Sequence, residues 1–264
     1  FTQLMKEQRE RARNARKKSD SESWASNDTQ LDGVSASEFV GYTEFSADTQ
    51  VTAIVAGGEQ ASEVSDGAKA MIALAKTPFY ATSGGQVGDS GIIKCDDAEF
   101  VVEDTVKNAE GIFLHVGYVK SGKFTVGKKV VAEIDKDRRL KIMRNHTAAH
   151  LLQNALRDVL GTHVEQAGSL VDESRMRFDF THFSAMTADE IKSVEDKINE
   201  MILSNIEVTM EEMSIEDAKK KGAMALFGEK YGEVVRVVKM GDFSTELCGG
   251  THVSNTKNIS AFKI

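Results

Sequence analysis

Two short spacings, His146-x3-His150 and Cys248-x3-His252, set the strongest condition on how this chain can fold. Three imidazoles and one thiolate make a tetrahedral donor set for a borderline-soft ion such as Zn2+. Cys248 follows His150 by 98 positions (150 to 248), so the tertiary fold, not a local finger, has to assemble the set. The first pair reads as helical: His146 to Leu160 is rich in Ala and Leu, lacks Pro and Gly, and is closed by Gly161. Leu152, Ala155, Leu156, Val159 and Leu160 share its apolar face, with His146, His150 and Arg157 beside it. In the second pair, Gly249-Gly250 permits a tight turn that brings Cys248 and His252 to one centre. One histidine pair alone reads equally well as surface or capping residues; both spacings together favour a metal. Thr147, Ala148 and Ala149 stand between the first two histidines, so the HExxH protease pattern fails for want of its Glu. Four protein ligands resemble a closed structural site. Either the metal organises a pocket, or one ligand gives way when substrate arrives.

Composition narrows the class. A chain of 264 residues with 41% apolar and 28% charged residues is that of a globular protein of one large or two smaller domains. No apolar stretch approaches a membrane span and no secretory leader is visible. Two cysteines do not make a disulfide framework, so a reducing, cytoplasmic setting is expected, with the mitochondrion as the alternative. A formal charge of -8 argues against a protein that lives by non-specific phosphate attraction, though a local basic groove is compatible with it.

The chain divides into three parts. Residues 1–37 form a basic helical segment, with seven Lys or Arg and two Glu in the first 18, and a serine-rich linker containing Trp24. Beginning at Phe1, it looks like a cut from something longer. Residues 38–137 carry six β-prone segments, Gln50–Ala56, Ala70–Ala75, Gly91–Lys94, Phe100–Val106, Ile112–Val119 and Lys129–Ile134, with too little chain between them for helices. A small β-barrel is the expected way to hide their edges. Within it, Thr77 to Gly91 holds the only proline and four glycines; it lacks GKS, GKT and GxGxxG, so it reads as a tight turn or as the wall of a neighbouring pocket. Residues 138–264 read as an α+β sandwich: strands at 162–171 and 175–180, a helix from the capping box Thr187-x-x-Glu190 to about Ser204, a strand at 208–213, a short helix capped by Ser214, and a strand at 233–240 that feeds the Cys248 loop.

The stretches NHTAAHLLQNALRDVLGTHVEQAGSLVDESRMRFDFTH, TPFYATSGGQVGDSG and FSTELCGGTHVSNT resemble the editing region of alanyl-tRNA synthetases and the free-standing alanyl-tRNA editing proteins, over residues 38 to 264. The resemblance implies that His146, His150, Cys248 and His252 hold Zn2+, that Gln166 lines the pocket with Thr147 near it, and that Gly84, Gly85, Gly88, Asp89 and Gly91 shape the cleft from the barrel. It implies an α+β editing domain behind a β-barrel, acting as a fragment of the synthetase: a hydrolase that deacylates seryl- and glycyl-tRNA(Ala), with mischarged tRNA(Ala) and the aminoacylation and C-terminal domains of the parent ligase as partners. An apolar synthetic pocket discriminates poorly against an added hydroxyl, which is the physical need for such a second site. Arg144, Arg157 and Arg177 are candidate RNA contacts, and His163 and Asp242 are candidate bases that read more readily as structural polar residues. The other reading is a zinc-stabilised RNA-binding or interaction module without turnover.

Overall fold

The computed structural model describes residues 29, 31–223 and 232–264; the basic helix and Trp24 expected within residues 1–28 lie outside them. Six antiparallel strands close into a barrel: β1 (Ser46–Ala56), β2 (Lys69–Leu74), β3 (Gly91–Cys95), β4 (Ala98–Lys107), β5 (Phe113–Ser121) and β6 (Lys129–Ile134). Their order round the ring is β6-β3-β4-β5-β2-β1, and β1 pairs back onto β6 with Lys129 opposite Gln50. Closure leaves these six strands without a free edge, the solution that a run of short β-prone segments calls for.

Strand β2, KAMIAL, shows why its sequence is apolar without alternation. Ala70, Ile72 and Leu74 point into the barrel with Phe79, Phe100 and Phe124, while Met71 and Ala73 point outward into a second core. Leu31, Ile112 and Leu114 also belong to that outer layer, and Leu31 is buried. Residues 31–37 are therefore packed against the barrel instead of forming the free linker expected there: Ser37 N–H donates to Gly111 O and its hydroxyl accepts from Phe113 N–H. A bulge between Val51 and Ala53 in β1 lets Val51 and Ile54 both face the inner core.

His115, on β5, is fully buried, with Nε2 2.7 Å from Thr77 Oγ1 and Nδ1 2.7 Å from Ile72 O. Burial pushes its pKa down to about 4. The unfolded chain binds a proton near pH 6.5 that the folded chain refuses until about pH 4, so the contribution of His115 is complete above 6.5 and is lost as the pH falls toward 4. Urea-unfolding free energies at pH 7.5 and pH 4.5 should differ by about 2–3 kcal/mol less in His115→Gln than in the parent chain. An equal difference in both proteins would sink this assignment.

After β6, Asp135 caps helix α1 (Lys136–Leu160) by accepting from Arg138 N–H, and Gly161 ends it. The helix thus starts ten residues before His146, where the sequence reading placed its beginning. The α+β region adds the hairpin β7 (Gln166–Val171) and β8 (Met176–Phe180), helix α2 (Ala188–Leu203), strand β9 (Val208–Ser214), helix α3 (Ile215–Lys220), and strands β10 (Val234–Met240) and β11 (Ser244–Leu247). The expected capping box is present, with Thr187 Oγ1 accepting from Glu190 N–H and Glu190 accepting in return. Strands β9, β10 and β11 form one antiparallel sheet, whose Val208, Val238 and Met240 pack with Leu151 and Leu156 of α1 and Val194 and Ile198 of α2.

The glycine-rich loop stitches the two regions together. Val87 N–H donates to Val171 O, and Val171 N–H donates to Gly85 O. A Cβ at Gly85 would press on the Ser169 backbone, and its φ of +83° is left-handed, so glycine is required there. Asp89 and Arg139 of α1 form a buried ion pair; Arg139 also donates to Gly41 O and Pro78 O, and Asp89 accepts from Tyr80 N–H. Barrel and helix are locked at this point. Among the described residues no helix is long and apolar enough to cross a membrane.

Candidate metal centre

Helix α1 runs between the barrel on one side and α2 and the sheet on the other. Its middle is buried on more than one face: His146, Thr147, Ala148, Ala149, His150 and Leu151 are all buried. The histidines are therefore well inside the molecule, not merely at the edge of the buried stripe as a single amphipathic face suggests. One turn apart, their rings lie nearly parallel with centroids 5.4 Å apart. Strand β11 ends at Leu247 and delivers Cys248, and the chain turns at Gly249-Gly250 to place the His252 ring 4.4 Å from that of His146 and 4.9 Å from that of His150. A Cβ on Gly250 would overlap the His146 ring, so the turn passes only with glycine. The four ligand atoms all lie within 4.8 Å of one another and form a metal-binding cluster.

Each imidazole hands its Nδ1 to an outer partner and turns Nε2 inward. His146 Nδ1 lies 2.7 Å from Gln86 Oε1, His150 Nδ1 2.7 Å from Glu246 Oε2, and His252 Nδ1 3.2 Å from Thr147 Oγ1. These acceptors select the Nδ1–H tautomer and leave an Nε2 lone pair for an ion. Two Nε2 atoms, those of His146 and His252, face Cys248 Sγ at 3.5 and 3.3 Å. The third, on His150, is buried without a hydrogen-bond partner. A buried nitrogen with no hydrogen-bond partner, beside a thiol and two further imidazoles, is a donor suited to a cation, so the residues fit a metal.

The electrostatics agree. Burial pushes the Cys248 thiol up, but the adjacent His146, His252 and His150 outweigh it and hold the pKa well below the usual thiol value, favouring the thiolate. Burial lowers His252 to about 3, so it is neutral. For His150, burial lowers the pKa, yet Glu246 and Cys248 raise it well above the ordinary value; an ion would take the place of that proton.

A cavity of about 430 Å³ opens onto the cluster, lined by Tyr80, Ser83, Gly84, Gln166, Phe178 and Arg236 together with His146, His150 and Cys248. Gln166 is on its wall. Thr147 is not: fully buried, its hydroxyl accepts from Val253 N–H and orients His252. Of the five cleft-shaping positions only Gly84 lines the cavity. Gly85 meets Ser169, Gly88 is pressed against Asp104 and Thr105, Asp89 pairs with Arg139, and Gly91 is packed on the β6 backbone. Arg144 and Arg177 line a different groove with Phe178 and Phe262, and Arg177 is 3.2 Å from Asp179. Arg157 donates to Val164 O. His163 bonds His182, and Asp242 is exposed near Lys239; neither reaches the cavity.

Four supporting residues escaped the sequence reading. Glu246 accepts from His150, Asn154 and Ser244 while almost fully buried; a lone carboxylate two positions before Cys248, in the short strand Ser-Thr-Glu-Leu, is the signal that could have found it. Gln86 arrives from the barrel, its Oε1 also accepting from Thr251 N–H, and no local pattern connects it to the histidines. Arg236 donates to Gly250 O at 2.7 Å and lies 4.0 Å from the Tyr42 ring, while Tyr42 OH donates to Gly249 O. The cysteine loop is thereby clamped by Tyr42 from beside the barrel and by Arg236 from strand β10.

The family described as tRNA synthetases class II (A) matches residues 1–138, and the threonyl and alanyl tRNA synthetase second additional domain matches residues 235–264. The chain is 51% identical over 265 residues to an alanine–tRNA ligase of Acetivibrio thermocellus, 52% to alanine–tRNA ligase 1 of Lachnoclostridium phytofermentans and 48% to an alanine–tRNA ligase of Clostridioides difficile. All of this chain is covered in each case, but only 30% of each relative's length. These matches correct the expectation of an editing domain and of a hydrolase acting on seryl- or glycyl-tRNA(Ala): they align the chain with synthetases, and the restriction to mischarged tRNA is unsupported. The fold label changes with them, from an editing domain to a β-barrel with a metal-binding α+β region consistent with a synthetase. The family matches make this correction; the four donors themselves meet as their spacing suggests. With residues 1–138 of 264 matched, the chain belongs to the class II (A) tRNA synthetase family.

Proposed function

We propose that this chain serves an alanine–tRNA ligase as a Zn2+-organised cleft that holds the 3' end of tRNA(Ala). The observation that carries the reading is the cavity lined by His146, His150 and Cys248 of the four-donor cluster, in a chain matched along its whole length by alanine–tRNA ligases. Three imidazoles and one thiolate suit Zn2+ among the divalent ions. When bound, the ion supplies positive charge and a rigid crosslink between α1 and the Cys248 loop. The chain's own residues do the remaining work. Gln86, Glu246 and Thr147 orient the imidazoles, Gln166 presents an amide to the 3' terminus from the cavity wall, and Arg236 holds the loop that closes the cavity. Residues 38–137 and 138–264 serve as the two units that meet at the cleft. Joining alanine to tRNA(Ala) is the activity proposed for the longer ligase, in a cytoplasmic setting.

Metal analysis and equilibrium binding of a tRNA(Ala) transcript, before and after chelation, test this. One equivalent of zinc and binding that weakens on its removal are expected; absence of zinc, or tRNA affinity indifferent to chelation, would overturn the proposal.

A further inference from the structure

Outside the cleft, one surface feature has no structural explanation. Phe183 is 87% exposed, yet its ring is held in place: it stacks on His163 with centroids 4.5 Å apart and planes 26° from parallel. The other ring of the set, His182, stacks on His163 at 5.1 Å and 20°, with His163 Nε2 2.9 Å from His182 Nδ1. The backbone beneath is pinned. Thr181 N–H donates to Glu165 O, Thr181 Oγ1 donates to His163 O and accepts from Glu165 N–H. An aromatic side chain so exposed gains little from burial, while a pre-ordered ring stack offers a π-face at low entropic cost.

Position gives the stack its partner. It follows Phe180, the cross-strand partner of Gln166, and Gln166 lines the metal cavity. Arg157, which has no ion pair among the described residues, donates to Val164 O beside His163 and adds positive charge next to the rings. We infer that His182, His163 and Phe183 form a stacking platform for an unpaired nucleobase of the tRNA 3' end, just outside the cavity that takes the terminus. Unpaired RNA bases are held by stacking on aromatic side chains, and such stacks tolerate any base because each has a π-face. The inference rests on the proposed placement of the 3' end in the cleft and adds the surface over which that end travels.

The test uses the zinc-loaded chain and a short single-stranded RNA ending in CCA, with 2-aminopurine placed before the CCA as a stacking reporter, alongside intact tRNA(Ala). Phe183→Ala should weaken RNA binding about 5- to 100-fold and abolish the quenching of 2-aminopurine, while Phe183→Trp restores both. Zinc content and thermal midpoint should stay at parent values in both variants, because the ring is exposed. Parent-like affinity and quenching in Phe183→Ala would overturn the platform and leave the cleft reading standing. If the parent chain binds no RNA, the cleft reading falls and the platform with it.

Discussion

Replacing Cys248 with Ala removes the one anionic donor of the cluster and leaves three buried imidazoles around an incomplete tetrahedron. Structural zinc sites bind with about 10–16 kcal/mol spread over four ligands, so losing one should cost on the order of 3 kcal/mol, roughly a hundredfold in affinity. Competition against a chromophoric chelator reads this directly. The loss should propagate to folding, because an ion that binds only the native state stabilises it by RT ln(1 + [L]/Kd), and the parent's gain in thermal midpoint on adding zinc should shrink in the variant. A graded comparison separates ligand from support. Gln86→Leu leaves all four donors in place but deprives both His146 Nδ1 and Thr251 N–H of the acceptor they share. An outer-partner loss of this kind costs about 10- to 100-fold in metal affinity. Unchanged zinc affinity in Cys248→Ala would refute the donor set; unchanged affinity in Gln86→Leu alone would refute only the role given to the barrel.

The second large effect is expected at Asp89 and Arg139. Both side chains are almost wholly buried, at 2% and 1% exposure, and the pair is satisfied on every side by Tyr80 N–H, Gly41 O and Pro78 O. Arg139→Met would strand a buried carboxylate, and the cost of breaking such a pair is about 3–5 kcal/mol, a large share of the roughly 5–15 kcal/mol that holds a typical domain together. The double variant Arg139→Met/Asp89→Leu should recover part of the loss, since no unpaired charge remains. Chemical denaturation of the parent and both variants measures the two quantities. A single-variant loss under about 1 kcal/mol would mean that the pair is not the lock between barrel and helix.

Local pattern carried much of the fold. The six β-prone segments each overlap a barrel strand, since alternation, β-branching and turn residues act within a few positions. Thr187 and Ser214 appear as helix caps for the same reason: a hydroxyl satisfies an N–H three residues away. Where the reading fell short, the cause was a distant partner. The first ten residues of α1, KDRRLKIMRN, look too charged for a buried helix, and only the pairing of Arg139 with Asp89 makes them one. Residues 31–37 look like a polar linker, and only the outer face of β2 gives Leu31 somewhere to go. Thr147 looks like a substrate contact because it adjoins His146, but its helical position turns the hydroxyl toward His252.

The sequence by itself determined the donor set. His146, His150, Cys248 and His252 are chemically suited to one ion, and two x3 spacings with a glycine turn announce it without any structure. Tertiary structure alone decided how those donors are oriented, because Gln86, Glu246 and Thr147 reach them from a barrel loop, a strand and a neighbouring helix position. It also decided which polar residues face the cavity, leaving Gln166 and Gly84 on its wall and turning Asp89 and Gly88 to structural use. The division has one physical cause. Ligand identity is a property of side-chain chemistry and short spacing, whereas tautomer, burial and access depend on contacts between segments many residues apart, which close only when barrel, helix and loop meet.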